Sequence, residues 1–143
     1  MRLKFVGLLV AIFAVYGAAI PASAHHGFGV EFDATKCMNL KGTLSGITWE
    51  NPHAYVQMDV KDADGQTHTW NLEMVTPNAL KRNGTTRQDF TDNMGKPFSA
   101  RACPTKAGGT PYRGSAGYIM FPDHVIRPVG QIKGGPEPDP KNF

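Results

Sequence analysis

Five histidines are the residues of this chain best suited to chemistry: His25, His26, His53, His68 and His124. The first two directly follow Ala22-Ser23-Ala24, a small-residue pattern cut after its last alanine during export. A cut there makes His25 the first residue. Its free amine and its ring can then chelate one metal ion, with a further histidine ring completing the site. Amine and imidazole nitrogens suit Cu(II), the tightest binder among the common divalent ions. The metal set read from the sequence is therefore His25, His26 and His53, with copper the only cofactor expected. The plainer alternative is a mobile terminus that picks up copper opportunistically.

A second constellation lies on two strands. Ala54, Val56, Met58 and Val60 alternate with His53, Tyr55, Gln57 and Asp59, and Trp70, Leu72 and Met74 alternate with Thr69, Asn71 and Glu73. If the apolar sets share a face, the strand register must preserve parity. Two registers do so: one sets His53 opposite Glu73, the other sets Tyr55 there. Either way His53, Tyr55, Asn71 and Glu73 share a polar face, the candidate ligand-binding set. A His–Glu pair can bind a ligand, orient a metal ligand or exchange a proton. The competing reading is a solvated face on which His53 only bonds to the turn.

His68 has the parity of Trp70 and Leu72, which puts it at the core edge. His124 falls in a turn, where it could supply a third metal ligand. Trp49, Tyr55 and Trp70 could together form a stacking surface. No Ser-His-Asp arrangement, phosphate loop or H-E-x-x-H motif is present, so no catalytic residue is assigned.

The elements that must position these residues are mostly strands. With 143 residues, 41% hydrophobic and 19% charged, the chain has the make-up of one globular domain. Short alternating runs are expected as strands near Met38–Trp49, His53–Val60, Thr67–Met74, Phe98–Cys103 and Ala116–Phe121. In the first, the buried parity switches at Ser45-Gly46, which predicts a bulge. Between the third and fourth runs Thr76 can cap a helix, Pro77 suits its first turn, and Gly84 can end it. Thr86 to Phe90 can add another helical turn. This order predicts a mainly β fold, a small five-stranded OB-like barrel with one short helix between strands 3 and 4. A small open β-sandwich is the alternative. The barrel is assigned to residues 25–130, and the Gly- and Pro-rich stretch 131–143 is expected to be a disordered tail.

Residues 1–24 read as a signal peptide: Arg2 and Lys4 precede an apolar stretch from Phe5 to Ile20, then Pro21 and the cleavage pattern. The chain carries 15 basic and 12 acidic residues. Without Arg2 and Lys4 the balance is 13 against 12, a formal charge of +1. No electrostatic grip on nucleic acid is expected from such a balance, and no membrane span remains once the signal is cut. Periplasmic or secreted location follows. Export also decides the cysteines: Cys37 and Cys103 lack C-x-x-C spacing and are expected to form one disulfide. Closing so long a loop stabilises a fold by roughly 4 kcal/mol in the chain-entropy account.

His25-His26-Gly27-Phe28, Glu31-Phe32-Asp33, Leu40-Lys41-Gly42-Thr43, Trp49-Glu50-Asn51-Pro52-His53, the turn from Asp62 to Gly65, and Pro77-Asn78-Ala79-Leu80 occur in one order. In this the chain resembles DUF6152, a family of small exported bacterial proteins without an assigned activity, over nearly all of 25–127. The chain departs from the pattern at Asp123-His124, where the family often has Asp-Gly, and in its two cysteines. The resemblance implies an exported β-rich domain and supplies no function. The residues favour a binding module for a metal ion or small ligand, with copper preferred. Two other classes stay open: an enzyme using His53 and Glu73 as an acid/base pair, and an interaction domain whose open strand edges and aromatic face meet an envelope protein.

Overall fold

The structure is a computed structural model that describes residues 27–107 and 109–143. The stretch read as a signal peptide, and with it His25 and His26, lies outside the described residues. Among the described residues three short helices, α1 (Phe28–Glu31), α2 (Pro77–Arg82) and α3 (Arg87–Asp92), accompany six strands. The strands are β1 (Met38–Thr48), β2 (Tyr55–Lys61), β3 (Thr67–Glu73), β4 (Pro97–Pro104), β5 (Arg113–Met120) and β6 (Ile126–Pro128).

Alternation makes the barrel. Val56, Met58 and Leu72 are fully buried, whereas their neighbours Tyr55, Gln57 and Asn71 remain partly exposed on the outer side. Antiparallel pairing orders the sheet β3-β2-β1-β4-β5-β6, and a short parallel pairing of β3 with β5 closes a five-stranded ring. That closure joins Asn71, Leu72 and Glu73 to Arg113, Gly114 and Ser115. The expected OB-like barrel is therefore present, and the open sandwich is not. The closure also removes much of the open edge that the interaction reading needed, because β3 carries a partner on each side at Asn71–Glu73.

Bending β1 far enough to serve two neighbours takes two local devices. Its register to β2 shifts between Leu44 and Gly46, the bulge anticipated at Ser45-Gly46. At Gly42 a Cβ would run into the Asp59 carbonyl, so only glycine lets the two backbones approach there.

Two helices, not one, separate β3 from β4. The Thr76 hydroxyl accepts from Ala79 N at 3.2 Å to start α2, and Thr86 with Asp89 forms a capping box for α3. Their apolar residues Leu80 and Phe90 are fully buried in the barrel core. Leu72 sits in the same core, and Leu72→Ala would cost about 2–5 kcal/mol by opening a cavity there.

The last strand and the chain end differ from expectation. β5 starts at Arg113, three residues before the alternation became visible, and the three-residue β6 pairs with it. Residues 131–143, expected as a disordered tail, carry no helix or strand, yet they pack on the barrel. Arg101 Nε donates to Gly134 O at 2.7 Å, Lys133 lies over the Tyr118 ring, and Phe143 is buried against Tyr118 and Met120. A Gly- and Pro-rich segment cannot build a core of its own, but two or three anchors suffice to lay it on another.

Candidate functional site

The register of β2 and β3 decides the polar face. Tyr55, not His53, stands opposite Glu73. The Tyr55 hydroxyl donates to Glu73 Oε2 at 3.0 Å. His53 lies just before β2, after the cis Asn51–Pro52 bond, and still reaches the same carboxylate: its Nδ1 is 3.6 Å from Glu73 Oε1 and 3.1 Å from Met74 O. Both neighbours of Nδ1 are acceptors. The ring nitrogen therefore carries the proton as donor, and in the neutral ring Nε2 has the lone pair.

His53, Tyr55 and Glu73 thus form one cluster, with the His53 and Glu73 side chains only 17% and 15% exposed. The Tyr55 phenol is held above its ordinary pKa by burial first, then by the Glu73 charge and the hydrogen bond it donates to that carboxylate. The charge of Glu31 adds to this, and that of Arg113 opposes it. Asn71 belongs to the next rung, where it accepts from Gln57 Nε2 at 2.9 Å. A third rung joins Thr69 to Asp59. The face is a hydrogen-bonded ladder ending in the histidine, so Asn71 is not brought to the cluster.

Two residues beside this face were not singled out from sequence. Arg113 NH2 pairs with Glu31 at 3.0 Å, which ties α1 to the strand next to Asn71, while Arg113 Nε is buried without a hydrogen-bond partner. Both residues look like ordinary solvated charges in a linear reading. The signal for Arg113 is the alternation Arg113, Ser115 against Gly114, Ala116, visible only if β5 is started at its true beginning. Glu31 carries no such signal, and neither does the Met74 carbonyl.

The other candidates are dispersed. His68 Nε2 sits 3.1 Å from Asp62 Oδ2, and its ring stacks on Tyr112 with centroids 4.1 Å apart and planes 8° from parallel. It is a half-buried strand-end residue, as expected, with a partner on each polar and aromatic side. His124 is exposed in the turn after β5, at φ 59°. The proposed stacking surface does not exist: Trp49 packs on Phe90 and Trp70 on Tyr112, both against the core, while Tyr55 lies on the outer face. Among the described residues no group of three His, Cys, Asp or Glu side chains could hold a metal ion. No helix among them is long and apolar enough to cross a membrane.

The cysteines do meet. β1 and β4 pair Met38 with Ala102, and one residue further along Cys37 and Cys103 face each other and form the disulfide. Phe28 and Phe32 pack on it as a small cluster separate from the barrel core. No curated protein and no solved structure matches this chain. The family model that does match spans residues 14–113, and so covers the His53–Tyr55–Glu73 cluster, Arg113 and both cysteines: the chain belongs to DUF6152, a family of unknown function.

Proposed function

We propose that this barrel is an exported metal-binding module, periplasmic in location, that takes a copper-type ion through the His25 amine and ring, His26 and His53. The observation that carries the reading is the bond from His53 Nδ1 to Met74 O, backed by Glu73. A ligating histidine needs its other ring nitrogen donated to a carbonyl or carboxylate, which fixes the tautomer and raises the basicity of Nε2. His53 has both acceptors beside Nδ1, and Tyr55 steadies the carboxylate from behind.

Chain connectivity supports the rest. Gly27 directly follows His26, and α1, which begins at Phe28, is fastened by Glu31 to Arg113, close enough to Tyr55 for both charges to act on its phenol. With consecutive Cα atoms about 3.8 Å apart, His25 and His26 have a short reach from that anchor. Since the described residues hold no three-ligand group, the N-terminal histidines are essential to the reading. The signal-like leader and the disulfide fit an oxidising compartment.

The test is a Cu(II) titration of metal-free protein expressed with its own leader, after mass spectrometry has identified the first residue. A second preparation carries one extra residue before His25. Tight one-to-one binding that the extension abolishes is the expected outcome. Weak binding, or binding indifferent to the extension, removes the chelate.

A further inference from the structure

We infer that the Cys37–Cys103 disulfide is a redox-operated latch on the N-terminal arm, residues 27–37, and through it on the metal site; the second half of this rests on the proposed chelate. The barrel does not need the bond to align its strands. β1 and β4 pair continuously from Met38 with Ala102 to Thr43 with Pro97, and the disulfide lies one step beyond the end of that ladder. What lies beyond the ladder is the arm.

Among the described residues the arm has these other attachments. Phe32 makes an isolated bridge to Thr105, Asp33 N donates to Pro104 O, and Glu31 pairs with Arg113. Lys106 adds bonds to the carbonyls of Glu31 and Gly29. Its apolar anchorage is a cluster of four residues, Phe28, Phe32, Cys37 and Cys103, and the barrel core is a different cluster. Half of the anchor is therefore the disulfide itself. Breaking the bond frees Cys37 from β4 and withdraws its sulfur from under the phenyl rings, while the barrel keeps every contact of its own core.

The two cysteines differ in exposure. Cys103 is buried, and Gly134 of the chain end lies so close that a Cβ there would stand 2.8 Å and 2.9 Å from the two sulfurs. Cys37 is the less buried partner and borders the exposed turn Ala34–Lys36. A small dithiol, or a dithiol protein of the oxidoreductase kind, attacks Cys37 Sγ with one thiolate and expels Cys103 as thiolate. Its second thiol then displaces Cys37, so two electrons pass to the cysteines and the reductant leaves as a disulfide. The arm becomes mobile, and the proposed chelate loses the anchored segment from which it would reach His53.

The experiment compares oxidised protein with protein reduced by dithiothreitol and alkylated, and with Cys37→Ser/Cys103→Ser, by hydrogen exchange and Cu(II) titration. Exchange of amides in 28–36 should rise by about tenfold or more on opening the bond, while the β1–β2 ladder stays protected. Copper affinity of the serine variant should fall about tenfold through the lower effective concentration of the chelate near His53. Unchanged exchange in 28–36 overturns the latch. So does an equal rise throughout the barrel, which would make the bond a global staple. If the serine variant does not fold, the reduced and alkylated protein and Glu31→Gln, with the bond intact, still decide. Glu31→Gln should loosen the arm less than reduction, and an equal effect would transfer the latch to the ion pair and overturn the assignment. A loosened arm with unchanged copper affinity keeps the latch and sinks the chelate.

Discussion

The β2–β3 hairpin carries a histidine beside a carboxylate at each end, and the two pairs engage different ring nitrogens. At the barrel end His53 engages Glu73 and the Met74 carbonyl through Nδ1, with Tyr55 bonded to the far oxygen of the carboxylate. At the turn end His68 gives Nε2 to Asp62, and its ring face is spent on Tyr112. Tyr112 itself sits at φ 53°, a left-handed conformation costing about 1–2 kcal/mol in a non-glycine residue, and the stack with His68 and the edge contact with Trp70 hold it there. One pair orients a ring by its Nδ1 nitrogen. The other consumes both the nitrogen and the face to clasp a loop. Both places pair a histidine with a carboxylate, across the two strands at the barrel end and within the turn at the other, and they differ in the ring nitrogen engaged.

The largest expected effect tests that separation directly. His53→Ala should weaken Cu(II) binding by about a hundredfold or more, and His68→Ala should leave it within about twofold, both read by competitive titration. Equal losses would erase the distinction. Tyr55→Phe should cost about tenfold, because it removes the hydroxyl that steadies Glu73 without touching His53. His68→Ala belongs to the other side of the comparison: it should lower stability by about 1 kcal/mol in denaturant unfolding and raise exchange in 109–112, the segment that Tyr112 ends. An unaltered loop would mean that Trp70 alone holds it.

The ladder makes a pH prediction as well. The folded-state pKa of Tyr55 is raised, so its neutral form contributes stability below the ordinary phenol value, near pH 10, and that contribution is lost as pH rises through the folded value. Glu73→Gln removes the adjacent charge and should bring the Tyr55 transition, followed by phenolate absorbance, back toward the ordinary value. Burial remains as the first cause of the shift, so the return should be partial. A transition that does not move would mean the Glu73 charge is not felt.

What the sequence reveals of this molecule is what period and parity can carry. Alternation at Val56, Met58 and Leu72 gave the hairpin and the correct face for His53, Tyr55 and Glu73, but parity allowed two registers and could not choose between them. The barrel order could be read from five runs and a capped helix. The parallel contact of Glu73 with Ser115 joins segments 42 residues apart, and no local pattern announces it. β6 is three residues long and ends in Pro128, too short for alternation to register. The arm and the chain end were illegible for another reason: Phe28, Phe32 and Phe143 are isolated apolar residues in polar stretches, and only the finished barrel offers them a surface. The same holds for Glu31 and Arg113, whose meaning lies in a pairing across the fold.

The turn after β5 supplies the smallest effect and a third kind of histidine. His124 follows Asp123, whose carboxyl is held below the usual carboxylate range chiefly by the hydrogen bond from Arg127, itself set over the Phe121 ring. That turn puts His124 at φ 59°, where glycine is the unstrained choice, and glycine is what the family resemblance leads one to expect at this position. Replacing His124 by glycine relieves about 1–2 kcal/mol of backbone strain but returns up to about 1 kcal/mol through the freer unfolded chain. The net gain should be about 0.5 kcal/mol, or about 2 °C in the melting temperature. Copper affinity should not change, since His124 is exposed beside Phe98, Met120 and Phe143, on residues that share nothing with the His53 cluster. A loss of affinity in His124→Gly would instead make it the third ligand, and the contrast between the two ends of the hairpin would no longer suffice to define the site.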